Sequence, residues 1–184
     1  MVCVLVLPFL CAATPNVATS PEMPATCAGI PDGELLIDGL ATGQVLHGDD
    51  GTTTLRFANG VYGCGEWPNS TSSADGCETK WTFRLRLPLP ALQVGVYDLA
   101  DVGADFGYLM NAPTSTPHGG GCSDQWCSSA QDGVGIEAMN AGSVLEIYSA
   151  DPNCFTGKLS GFVPAGPAPY PDANGAFFAT PCAN

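Results

Sequence analysis

The chain predicts an all-β fold, an antiparallel β-sandwich of jelly-roll or Greek-key type with disulfide-tied loops, and three observations carry that expectation. Lys80 to Leu87 reads Lys-Trp-Thr-Phe-Arg-Leu-Arg-Leu, in which Trp81, Phe83, Leu85 and Leu87 alternate with polar residues. A period of two buries one face of a strand and wets the other. The 184 residues include Gly 23 and Pro 16, without long runs of Leu, Glu, Lys and Ala at helical spacing, which favours many turns and short strands. Further strand-like segments recur between turn signals, and together they supply the opposing layer that four large side chains on one face require. The length suits one domain, since a chain of about 150 residues already buries about 68–70% of its unfolded surface.

The first 13 residues read as a signal peptide. Val2 to Ala13 is almost wholly apolar, ends in the small-x-small sequence Cys11-Ala12-Ala13, and is shorter than the roughly 20 residues a helix needs to cross a bilayer. No Lys or Arg precedes Arg56, so the charged start of a leader is missing, as it would be if translation began further upstream. A buried N-terminal strand is the alternative. Lipid anchoring is a further option for an exported chain, although Leu10 before Cys11 and Thr26 before Cys27 are not the small residues that lipoprotein signals place there. Thr14 to Thr26 contains three prolines and no apolar period, which describes a flexible tether over residues 14–26. The folded domain is expected over 27–184.

Within that domain strands are expected at Glu34–Asp38, Gln44–His47 and Thr52–Ala58, the last two joined by the turn Gly48-Asp49-Asp50-Gly51. A polar loop from Cys64 to Cys77 precedes the organising strand Lys80–Leu87. Pro88 and Pro90 then suit an edge or a bend better than a central strand. Leu92–Leu99 and Gly107–Met110 follow, and 111–131 is a long loop of the kind that is usually functional or disordered. Gly133–Met139 and Ser143–Tyr148 are expected to pair as a hairpin through Asn140-Ala141-Gly142. Lys158–Val163 and Ala176–Thr180 complete the set.

The segments Gly95-Val96-Tyr97-Asp98-Leu99 and Gly157-Lys158-Leu159-Ser160-Gly161-Phe162 resemble small exported bacterial β-sandwich proteins and lipoproteins of uncharacterised function. The resemblance covers the second half of the chain. It implies a fold and an envelope location, and neither an activity nor site residues.

Of nine cysteines, Cys3 and Cys11 leave with the leader, and the other seven should be oxidised in an exported protein. Spacing favours Cys64 with Cys77, Cys122 with Cys127, and Cys154 with Cys182, leaving Cys27 over; a Cys27–Cys182 staple of the two ends is the alternative. Zinc is disfavoured because Cys122-Ser-Asp-Gln-Trp-Cys127 has no second close pair and only His47 and His118 are present. Four intervening residues are also too many for a redox Cys-x-x-Cys motif.

The formal charge of −13, five cations against eighteen acids, repels phosphate backbones and excludes nucleic acid as a partner. His118-Gly119-Gly120-Gly121 copies an oxyanion-hole loop of some lipases, yet no Gly-x-Ser-x-Gly elbow accompanies it. Glu137 and Glu146, on the expected hairpin, are the carboxylate pair that glycoside hydrolysis would need. Asp98, Asp101 and Asp105 lack the order of a calcium loop, and Asn69-Ser70-Thr71 is a sequon that matters only in a host that reads it. Four of the five cations, Arg56, Lys80, Arg84 and Arg86, fall in two expected strands and could form a basic strip, with pairing to nearby carboxylates as the bland alternative.

No catalytic, cofactor-binding or metal-ligating residue is assigned, and no cofactor. The expected role is a non-catalytic envelope or extracellular binding protein, secreted or held in the cell envelope; the alternative is a small extracellular hydrolase acting on a polymer such as a polysaccharide. Trp67 and Trp126, in the cysteine-bounded loops, are the candidate ligand anchors, since rigid aromatic faces suit a carbohydrate or another envelope protein.

Overall fold

The computed structural model describes residues 27, 29–67, 80–113, 129–130, 135–138, 141–162 and 172–183. The leader and tether expected at 1–13 and 14–26 lie outside them. The described residues form ten strands and no helix: β1 (Thr42–His47), β2 (Thr53–Ala58), β3 (Lys80–Leu87), β4 (Gly95–Asp98), β5 (Asp105–Pro113), β6 (Ser129–Ala130), β7 (Gly135–Ala138), β8 (Val144–Asp151), β9 (Cys154–Ser160) and β10 (Gly175–Cys182). The protein is all-β, as composition and periodicity indicate.

The strands hydrogen-bond along one path, β4-β8-β9-β10-β1-β2-β3-β5-β6, with β7 also on β5. Every junction is antiparallel except that of β1 with β10. The purely antiparallel sheet expected from the sequence is corrected there, because the first and last strands lie side by side and run the same way. The chain is set parallel to β10 before β1 begins: Leu36 bridges Ala176, Ile37 N–H donates to the Ala176 carbonyl at 2.9 Å, and Ala176 N–H donates to the Leu35 carbonyl at 2.8 Å. The expected strand at Glu34–Asp38 is reduced to that one bridge. In β1 a Cβ on Gly43 would run into the Phe178 carbonyl oxygen, so glycine is what allows the two backbones to approach.

On a flat sheet the five steps from β9 to β5 would span about 24 Å at about 4.8 Å per step. Phe106 on β5 and Phe162, just beyond β9, instead have ring centroids 5.0 Å apart, crossed at 86°. The sheet is therefore curled into a half-barrel around one core. Phe57 meets Phe177 at 4.9 Å and Phe83 meets Phe162 at 5.0 Å, both edge to face. Each such aromatic pair adds about 0.5–1.5 kcal/mol beyond the area it buries.

The core explains β3. Trp81, Phe83, Leu85 and Leu87 are buried and Arg84 and Arg86 exposed, as the alternation requires. Thr82 is buried too, on the other face, opposite Ala58. Pro88 and Pro90 stand beyond the end of β3, so they stop it without interrupting it; β3 is a central strand between β2 and β5, not an edge.

The hairpin expected through Asn140-Ala141-Gly142 does not form. β7 pairs with β5, while β8 pairs with β4 and β9. The tight reversal is β8 to β9, around Pro152 and Asn153, where Asp151 Oδ1 accepts the Asn153 N–H at 2.9 Å. Packing favours this choice: Leu145 faces Leu159, and Ile147 faces Gly157, whose missing side chain leaves room for the Phe177 ring.

The disulfides join Cys27 to Cys154 and Cys64 to Cys182, with Cα–Cα distances of 5.4 and 5.5 Å. This corrects the local pairings Cys64–Cys77 and Cys154–Cys182, and also the Cys27–Cys182 staple; Cys27 is not left over. Cys77, Cys122 and Cys127 lie outside the described residues. Spacing misleads because sheet pairing, not chain distance, decides which cysteines meet. Cys182 stands opposite Leu46 at the parallel junction, and Cys154 opens β9 beside Cys27 and Phe178. In the chain-entropy model a bridge closing a loop of about 100 residues contributes about 4.7 kcal/mol. Such bridges are the mark of a non-reducing compartment.

Two outcomes follow for stability and connectivity. Phe83→Ala should cost about 3–5 kcal/mol in denaturant unfolding through lost transfer energy and the cavity left behind, whereas Arg84→Ala should stay within about 0.5 kcal/mol of wild type or gain stability. Equal losses would contradict the burial of Phe83 and the exposure of Arg84. Peptide mapping without reductant should recover Cys27 with Cys154 and Cys64 with Cys182; recovery of a Cys154–Cys182 peptide would refute the parallel junction as described.

Candidate functional site

The outer face of β2 and β3 carries Arg56, Arg84 and Arg86 side by side. Pairing register decides this. Arg56 stands directly opposite Arg84, Gln44 opposite Arg56, and Arg84 opposite Gly107; in the next row Arg86 lies between Thr54 and Asp105. Directly opposed residues have Cβ atoms about 4.5–5.5 Å apart, and like charges so placed destabilise a sheet. The face is concave, forming a groove of about 490 Å³ lined by the three arginines and by Asp49, Asp50 and Asp105.

The cations divide into two groups. Arg86 Nη2 pairs with Asp50 Oδ2 at 2.9 Å, and Lys158 Nζ pairs with Glu34 at 2.7 Å on another part of the surface. Among the described residues no carboxylate pairs with Arg56 or Arg84. The side chain of Lys80 is outside the described residues. Pairing with carboxylates, the bland reading of the basic strip, thus holds for Arg86 and fails for Arg56 and Arg84.

Burial, and then the Arg84 guanidinium, makes the charged form of Arg56 harder to hold and lowers its pKa. Arginine does not shed its proton at physiological pH, so the pressure persists as a demand for a counter-anion. Arg56 Nε and Gln44 Oε1, on opposed residues, are both buried without a hydrogen-bond partner among the described residues. Such groups cost stability until something satisfies them.

The segment following β2 lies over this face. Thr42 Oγ1 donates to the Gly60 carbonyl at 2.7 Å and accepts the Tyr62 N–H at 3.0 Å, and Gln44 Nε2 donates to the Gly63 carbonyl at 3.0 Å. Cys64 then fixes the segment to β10 through Cys182. This delivers Trp67, half-buried, 5.8 Å from the Tyr62 ring, with the Arg56 guanidinium 5.5 Å from its centroid. A cation over an indole contributes about 0.5–2 kcal/mol, depending on desolvation. The basic strip and Trp67 are unconnected in the sequence, and the fold joins them.

The remaining candidates are not drawn together. Trp126, His118 and the residues 69–71 lie outside the described residues. Glu137 is on β7 and Glu146 on β8, strands that do not pair, so the hairpin premise for a carboxylate pair is lost. His47 Nδ1 is 3.1 Å from Thr53 Oγ1, and its ring stands 6.4 Å from that of Phe155. Asp98 Oδ1 accepts the N–H groups of Ala100 and Asp101 and so holds its own turn, while Asp105 lies in the arginine groove. Among the described residues no group of three or more His, Cys, Asp or Glu is placed to hold a metal ion. Asp50 and Asp105 escaped the sequence reading because the register that brings them to the arginines depends on pairings across long connections.

Asp50 supplies a pH test of this geometry. The Thr52 hydroxyl, at 2.6 Å, and then Arg86 lower its pKa below the usual carboxylate value. A carboxylate held low in the folded state contributes stability that is present above its unfolded pKa and lost as pH falls through the folded value. The Asp50 carboxyl resonance should therefore titrate lower in wild type than in Thr52→Val; identical midpoints would contradict the contact. No family model, curated protein or solved structure matches the chain.

Proposed function

We propose that the chain is an exported, non-catalytic binding protein, secreted or held in the cell envelope, whose ligand presents an anionic group to Arg56 and Arg84. The single observation that carries the reading is the opposed Arg56–Arg84 pair, without a carboxylate partner among the described residues, in a chain of formal charge −13. A chain so rich in acids has every opportunity to neutralise two guanidinium groups and leaves them facing a groove. The groove volume falls within the range of small-molecule sites, about 300–1,000 Å³. Planar guanidinium forks match a carboxylate in two parallel hydrogen bonds, which suits this pair to recognition better than lysines would.

Two disulfides support the extracytoplasmic part of the reading. Lipid anchoring, the likeness to small exported bacterial β-sandwich proteins, and a description of the half-barrel as two sandwich layers belong to the same proposal. Trp67, carrying Arg56 on its ring, is the anchor for the apolar body of the ligand, and Trp126 remains the second candidate.

Acetate is a sufficient probe of the anion site. Titrated into the full chain at constant ionic strength, it should shift the Nε–Hε resonances of Arg56 and Arg84 saturably, and Arg84→Gln should remove the response while the circular dichroism spectrum is retained. Shifts that chloride reproduces equally would overturn the reading.

A further inference from the structure

Resting on the anion site just described, the lining of the groove specifies more than a negative group. Three arginines and three aspartates face it, so its side chains sum to zero charge, in contrast to the surrounding surface. Arg86 and Asp50 neutralise one another, and Asp50 is further held by the N–H and hydroxyl of Thr52. Arg56 and Arg84 are left at one pole. The other pole is Asp105, at the start of β5, for which no ion pair is formed among the described residues.

The register fixes how the Cβ atoms of Arg84 and Asp105 are set. Arg84 is opposite Gly107 and Arg86 is opposite Asp105, so Asp105 is two residues before the position on β5 that faces Arg84. Two residues of strand, or one diagonal step across a ladder, is about 7 Å. Gly107 places no side chain between the poles.

Charge decides against a simple anion. Any ligand must approach a protein of formal charge −13, and at physiological salt surface charges act over about 8 Å, so the nearby acids Asp49 and Asp105 oppose an anion at the mouth of the groove. A zwitterion carries no net charge. It is not repelled at long range, and its two ends are recognised separately once inside.

We infer that the groove binds a zwitterion, its carboxylate across Arg56 and Arg84 and its ammonium at Asp105.

The test compares three probes on the full-length, oxidised protein by the arginine Nε–Hε and Asp105 carboxyl resonances. These are diglycine, N-acetyl-diglycine, which keeps only the carboxylate, and glycylglycinamide, which keeps only the ammonium. Diglycine should bind about tenfold or more tighter than either blocked form. Asp105→Asn should abolish the preference for the free amine while leaving N-acetyl-diglycine binding in place. Equal affinity for diglycine and N-acetyl-diglycine would overturn the zwitterion while leaving the anion site intact. Failure of acetate and all three probes to move the Arg56 and Arg84 resonances would overturn both.

Discussion

The parallel contact between β1 and β10 is the constraint on which the rest of the molecule depends. On either side of it the strands pair only antiparallel, β4, β8, β9 and β10 in one group and β1, β2, β3 and β5 with β6 and β7 in the other. The contact joins them into one ladder, and the continuous ladder then curls until Phe106 reaches Phe162. Parallel pairing of chain ends requires many residues of connection and a slow, non-local search, and it is slightly weaker per residue than antiparallel pairing. Local chemistry compensates. Gly43 permits the approach, Leu36 and Ala176 start the alignment, and Cys182 fastens it from the far end.

How much of this is legible in the sequence depends on the distance between partners. β2 and β3 show in the alternation of Thr-Leu-Phe and Trp-Phe-Leu-Leu, because a strand with one buried face writes its period directly into the chain. The β1–β2 hairpin is equally plain, since Gly48-Asp49-Asp50-Gly51 is a local turn. Pairing across long connections leaves no such trace. Asn140-Ala141-Gly142 has the composition of a hairpin turn, yet β7 pairs with β5, and β8 pairs with β9, where Gly157 leaves room for Phe177. The cysteines repeat the lesson: spacing favours the shortest loops, whereas the sheet brings together residues 127 and 118 positions apart.

The candidate site divides the same way. That four of five cations fall in two strands is visible by inspection; that Arg56 faces Arg84 and not a carboxylate follows only from the register across residues 59–79. Trp67 stood out as an aromatic in a cysteine-bounded loop. Its position under Arg56 comes from a disulfide to the opposite end of the chain and from Thr42 and Gln44 holding the backbone beside β1. A binding face assembled from β1, β2, β3, β5 and one fastened loop is a tertiary object, and no segment of the chain contains it.

The order of the bridges has a consequence for resistance to proteolysis. Cys27, Cys64, Cys154 and Cys182 are joined first to third and second to fourth, so the two covalent loops interleave. A protease that cuts once anywhere between Cys27 and Cys182 yields fragments that are still joined by at least one bridge, and a cut between Cys64 and Cys154 leaves both bridges spanning it. The single nick that would release half of an unbridged sheet here releases nothing, and the two pieces remain tethered within reach of re-forming the ladder.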